Sequence, residues 1–131
     1  MNRKALDKRL QELSIYSEFF NRRELNVLAQ LLKDDESLNC ILTGVEQGNR
    51  KMLAVTDRRL IILFAGALTS RDVTVIQRSA VCEYRFEKKF LFSRVGFLTE
   101  SGAAFEFTNT QGSLKDLFEW AMQRPLPAAA D

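Results

Sequence analysis

Leu6, Leu10, Leu13 and Phe20 recur on one stripe, with Lys4, Lys8, Arg9, Gln11 and Glu12 largely off it, and this spacing predicts an amphipathic helix over residues 3–20. A second helix is expected from Asn21, which can act as its N-cap with Glu24 three residues on. Leu25, Leu28, Ala29, Leu31 and Leu32 form its apolar face, and the polar stretch 33–37 ends it. From Leu38 the period changes to that of strands. Seven are predicted, over 38–45, 51–56, 59–65, 72–77, 81–87, 93–99 and 103–108. Gln47-Gly48-Asn49, Asp57-Arg58 and Ser101-Gly102 supply hairpin turns. Alternation is clearest late: Phe105 and Phe107 share one face, and Val95 and Phe97 oppose Arg94 and Gly96. A last helix, capped by Ser113, carries Leu114, Leu117, Phe118, Ala121 and Met122 on one side before Pro125 and Pro127 stop it.

The expected organisation is therefore α+β and mainly β: a helical hairpin over 1–35, a β domain with its helix over 36–124, and a disordered tail over 125–131. At 131 residues, 46% hydrophobic and 27% charged, the chain can bury a core without disulfide or metal. No histidine is present, which removes His-based nucleophilic catalysis, His metal ligation and the usual switch near neutral pH. Cys40 and Cys82 lie in apolar segments and are expected as buried thiols. A net charge of +2 is too small to dominate binding to nucleic acid or an acidic membrane, so any such contact must be local. The amino terminus has no apolar leader core, and the longest near-apolar run, 60–68, is too short to span a bilayer. A cytoplasmic protein is expected, peripheral to the inner membrane face if it meets lipid.

Seven short antiparallel strands followed by one amphipathic helix suggest a sheet bent on itself whose open mouth the helix plugs. The run Met52-Leu53-Ala54-Val55-Thr56-Asp57-Arg58-Arg59-Leu60-Ile61-Ile62 resembles the strand-turn-strand signature of bacterial pleckstrin-homology-like (PH-like) domains. Residues 84–95 are similar to the middle of the YokE-like group among them. The resemblance spans roughly residues 36–122. It implies a PH-like seven-stranded barrel capped by its C-terminal helix, a scaffold that hosts lipid-binding, peptide-binding and structural roles alike. It also implies a lipid site among the loops after strands one, three and six. Those loops hold Glu46, Arg50, Lys51, Arg71, Asp72 and Glu100, three bases against three acids. The turns after strands two and five hold Asp57, Arg58, Arg59, Glu87, Lys88 and Lys89, so the basic surplus lies at the opposite end and an inositol-lipid headgroup site is not expected.

Motifs for catalysis are missing: no P-loop, no Gly-x-Ser-x-Gly and no Cys-x-x-Cys, and the pair Gly44 and Gly48 brackets a turn. No enzyme, cofactor, metal site or small-molecule substrate is expected. Asp34-Asp35-Glu36 reads as a solvated helix end. Thr56 and Asp57 can fix the register of a hairpin, while Arg58 and Arg59 could serve there as two exposed guanidinium forks for phosphate or carboxylate. Lys88, Lys89, Phe90, Leu91 and Phe92 interleave bases with apolar side chains at a hairpin tip, which suits a membrane interface; the favoured structural account instead has Phe86, Phe90 and Phe92 as barrel core, with Lys88 and Lys89 solvating the turn. The stripe of Leu6, Leu10, Leu13 and Phe20 either packs within the chain or mates with another copy or a protein partner. The reading is a non-catalytic binding or adaptor module acting through protein–protein contacts, with self-association as one route. The alternative is peripheral binding to anionic membrane through one basic-aromatic patch, Arg58, Arg59, Lys88 and Lys89, with Phe90, Leu91 and Phe92 inserting. Nucleic acid is not favoured as a partner.

Overall fold

The continuous apolar run Leu60-Ile61-Ile62-Leu63 sits in a strand, where successive side chains point to opposite faces, and all four are buried. Such a strand must be covered on both sides. The computed structural model, which describes residues 1–127, shows what covers it. Strands β1 (Leu38–Glu46), β2 (Asn49–Thr56), β3 (Arg59–Phe64), β4 (Thr74–Gln77), β5 (Val81–Glu87), β6 (Ser93–Thr99) and β7 (Ala104–Thr110) form one antiparallel sheet in the order β4-β3-β2-β1-β7-β6-β5. The sheet bends so that one face of β1–β3 closes on β5–β7 and on the last helix, α4 (Lys115–Gln123), which packs against β1, β2 and β5. The N-terminal helices are α1 (Arg3–Glu12), α2 (Tyr16–Phe19) and α3 (Glu24–Leu31); α3 packs against β3, and α1 packs on α3 and α2. Among the described residues β5–β7 have no such outer layer, and along β6 buried and more exposed residues alternate.

The bend demands a close approach of β7 to β1. A Cβ at Gly44 would lie 2.7 Å from the Thr108 carbonyl oxygen and 2.8 Å from Thr110 Cγ2, so this glycine belongs inside β1 rather than to the turn. The turn itself is Gln47-Gly48, both in the left-handed region. Gln111 ties the same corner together: its side-chain carbonyl accepts the Thr43 N–H at 3.1 Å and its amide donates to the Thr43 hydroxyl. Arg78, buried in the link between β4 and β5, donates to the Ala121 and Arg124 carbonyls and so caps the C-terminal end of α4. Phe118 on α4 is fully buried, with ring centroids 6.1 Å from Tyr84 and 5.8 Å from Phe86. The helix therefore plugs the barrel, and Leu117 on its flank is only partly buried.

The N-terminal segment departs from the expected hairpin. One long helix is replaced by α1 and α2, because Ser14 takes a left-handed conformation (φ 62) after α1. The break swings Ile15 and Phe19 into the core and leaves Phe20 half exposed beside Tyr16. Asn21 caps nothing: α3 starts at Glu24, whose buried carboxylate accepts the Gly66 N–H at 2.7 Å instead of reaching back to a capping residue. Ser113 likewise lies in a 3-10 turn, Gly112–Leu114, and α4 has no side-chain cap. Helices and sheet share one hydrophobic core, with Leu6, Leu10, Leu25 and Leu28 joined to Leu42, Leu53 and Ile61. Cys40 is buried, and burial pushes its thiol up to about 12. Cys82, expected inside, is exposed because a bulge between Val81 and Glu83 turns it out of the ladder. The expected tail falls partly on residues 128–131, outside the described residues.

Candidate functional site

The turn between β2 and β3 is built around one hydroxyl. Thr56 Oγ1 accepts the N–H groups of Arg58 (3.0 Å) and Arg59 (2.8 Å) and donates to Glu36 Oε2 at 2.7 Å. Asp57 and Ser37 bond reciprocally, the Ser37 N–H to the Asp57 carboxylate and the Asp57 N–H to the Ser37 carbonyl, both at 3.0 Å. Arg59 then closes a two-pronged pair on Glu36, Nε to Oε2 at 2.8 Å and Nη2 to Oε1 at 2.6 Å, and adds the Leu31 carbonyl at 2.9 Å. Burial pushes the Glu36 carboxyl up, but the hydrogen bonds from Arg59, Thr56 and the Lys33 N–H outweigh it and hold the group below its ordinary value. The hydrogen bond to Glu36 raises Arg59 in turn. Arg58 pairs with Asp35 at 3.0 Å. Arg59 is thus enclosed by its carboxylate, while Arg58 stays about a third exposed beside Asp35. They tie the N-terminal segment to the sheet, and the acidic triplet read as a solvated helix end is their partner.

The tip between β5 and β6 is arranged the other way. Phe86 is core, but Phe90 is 100% exposed, Leu91 74% and Phe92 59%, so the barrel-core reading fails for the residues beyond β5. Lys88 and Lys89 are exposed beside them, with Glu87 3.8 Å from Lys89. The base of this loop is firm. Ser93 is buried and its Oγ accepts the Lys89 N–H at 3.4 Å. Gly112 supports it from the 3-10 turn before α4, where a Cβ would fall 2.8 Å from Ser93 Oγ and 3.4 Å from Lys88 Cγ. Gly112→Ala is expected to cost about 1–3 kcal/mol through overpacking of that base, read by urea denaturation. A change within about 0.5 kcal/mol would show that the loop base yields freely.

At the opposite end, after β1, β3 and β6, Lys51 is buried and paired with Glu46, its ammonium also 4.9 Å from the Phe64 ring centroid. Arg50 and Arg71 are exposed there with Asp72 and Glu100, two bases against two acids. Leu6 and Leu10 are fully buried in the chain's own core and Leu13 is partly buried against it, so the predicted partner stripe faces inward; Phe20 alone remains half exposed. No helix among the described residues is long and apolar enough to cross a membrane, and no group of three or more Cys, Asp or Glu among them could hold a metal ion.

A family model for the bacterial PH domain matches residues 32–121, from the end of α3 to within α4. The chain belongs to the bacterial PH domain family. The match is at the level of the family and by itself says nothing of the narrower YokE-like grouping. Among solved structures, the C-terminal domain of an unknown protein from Leishmania infantum is similar over 66% of this chain and 81% of its own, with a TM-score of 0.52 at 16% identity. A pleckstrin homology domain from Shewanella amazonensis covers 72% of this chain and 92% of its own, with a TM-score of 0.45 at 19% identity. No curated protein matches. In this PH domain, the part before residue 32 lies outside the family match yet supplies Leu6, Leu10, Leu25 and Leu28 to the core.

Proposed function

We propose that this PH domain is a non-catalytic module that docks on anionic membrane through its β5–β6 tip, with Phe90, Leu91 and Phe92 entering the apolar layer and Lys88 and Lys89 meeting lipid phosphates. The observation that supports it is the run of three exposed apolar side chains at a protruding hairpin end, flanked by two unburied lysines. A hairpin tip offers little area compared with the roughly 800 Å² per partner of a standard protein interface. It can still enter a bilayer, where each ring needs only the acyl layer around it. At the opposite end the buried Lys51 is paired with Glu46, and the exposed Arg50 and Arg71 are matched by Asp72 and Glu100. The adaptor reading through the N-terminal stripe loses its surface, because Leu6 and Leu10 are inside.

Co-sedimentation with phosphatidylserine-containing vesicles tests this. Pelleting is expected at low salt, with weakening as salt shortens the Debye length, and none is expected on neutral vesicles. Phe90→Ser with Phe92→Ser should lower partitioning at least 10-fold, since burying one such side chain is worth about 1.5–3 kcal/mol. Both positions are exposed, so the melting transition should stay in place. Absence of pelleting at low salt would remove the reading, as would equal pelleting of the variant; retention of RNA or DNA in place of lipid would assign the tip to base stacking.

A further inference from the structure

A sheet that does not close leaves two edges, here β4 and β5. β4 has four residues and no charge among them, whereas β5 has seven. The β5 edge is bounded by the bulge between Val81 and Glu83 at one end and by Lys115 at the other, whose Nζ donates to the Phe86 carbonyl at 3.2 Å. Between these limits Glu83, Tyr84 and Arg85 are exposed on a strand with no paired strand on that side among the described residues. Edges that stay unpaired in natural proteins are commonly blunted by lysines or inward charges. Here one acid and one base stand on either side of a tyrosine.

We propose that β5 is the pairing edge of a two-fold dimer, with a second copy of this chain added antiparallel about Tyr84. Register decides it. Tyr84 points to the buried face, toward Phe118, while Glu83 and Arg85 stand opposite Leu98 and Gly96 on the other face. Two copies must join buried face to buried face, since a slip of one residue inverts every side chain. An axis at Glu83 sets that carboxylate against its own copy. An axis at Arg85 sets Arg85 against Arg85 and Glu83 against Glu87. An axis at Phe86 falls where Lys115 already holds the carbonyl. The axis at Tyr84 places Glu83 opposite Arg85 of the second copy twice over, the favourable arrangement for directly facing charges. It also covers Tyr84, which is 37% exposed. Beside it lies a cleft of about 280 Å³ that Tyr84, Val81, Met122 and Leu126 share with Arg78 and Arg124. Both tips stay free at opposite ends of the joined strands, so this inference uses none of the residues of the membrane reading and stands or falls apart from it.

Sedimentation equilibrium on the full chain tests it. The wild type is expected at about twice the chain mass of 15.0 kDa, dissociating on dilution. Glu83→Arg alone and Arg85→Glu alone should each return the mass to 15.0 kDa, and the double variant carrying both should restore the dimer. Both positions are exposed, and circular dichroism checks that each variant is folded. As a second readout, amide exchange at Tyr84 and Arg85 should slow with concentration in the wild type and not in the single variants. A wild type that is monomeric at every concentration overturns the proposal. So does a dimer that both single reversals leave intact, or a double variant that stays monomeric.

Discussion

Glu36→Gln is expected to lower the stability of the domain by about 3–5 kcal/mol at neutral pH, because it leaves the Arg59 guanidinium partly buried without its counter-charge. The pair is two-pronged, Glu36 is buried, and the same carboxylate receives the Thr56 hydroxyl and the Lys33 N–H. The pH dependence has a definite sign. Folding holds the Glu36 carboxyl below its ordinary value of 4.5, so the unfolded chain takes up the proton first as the pH falls. The stabilisation is fully present above about 4.5 and is lost as the pH drops through the lower folded value. Urea unfolding between pH 7 and 3 checks both parts. The wild type should weaken progressively below about pH 4.5, while Glu36→Gln should start lower and change less over that range. Adding Arg59→Met to Glu36→Gln should recover part of the loss by removing the unpaired charge. A single variant within about 0.5 kcal/mol of the wild type would mean that the N-terminal segment is not held through this pair.

Phe118→Ala carries the other large effect, about 3–5 kcal/mol. The ring is fully buried where α4 meets β5, in edge and tilted contact with Tyr84 and Phe86, so truncation leaves a cavity between helix and sheet that neither side can easily fill. Trp120, on the outer side of the same helix and 37% exposed, should cost far less when replaced by Ala. Its indole packs under Arg124, with the guanidinium 4.8 Å from the ring centroid. Equilibrium denaturation of the two variants side by side separates plug from surface. Equal losses, or a Phe118→Ala loss near zero, would contradict the sealed barrel.

The seven strands, the last helix and the PH-like resemblance were all legible along the chain, because alternation and helical spacing are local properties that burial imposes on neighbouring residues. The run Leu60-Ile61-Ile62-Leu63 carried a further message, since an unbroken apolar strand needs cover on both faces, and α3 provides it. What local periodicity could not carry was where a stripe turns. Leu13 and Phe20 continue the spacing of Leu6 and Leu10, yet a single left-handed residue, Ser14, redirects the chain and leaves Phe20 at the surface. Cys82 went the same way: apolar neighbours suggested burial, and one bulged position turned it to solvent.

The charged residues divide most sharply between these two levels. Arg58-Arg59 and Lys88-Lys89 look alike as pairs in a string of letters, and each closes a strand-turn-strand unit. Folding brings Asp35 and Glu36 onto the first pair across more than 20 positions of chain, while the second pairs, among the described residues, only with its chain neighbour Glu87. Spacing along a chain dictates which elements form and which of their faces is apolar. Which charge finds a counter-charge depends on distances that exist only after the sheet bends and the helices dock, since ion pairing falls off with separation in space and not in sequence.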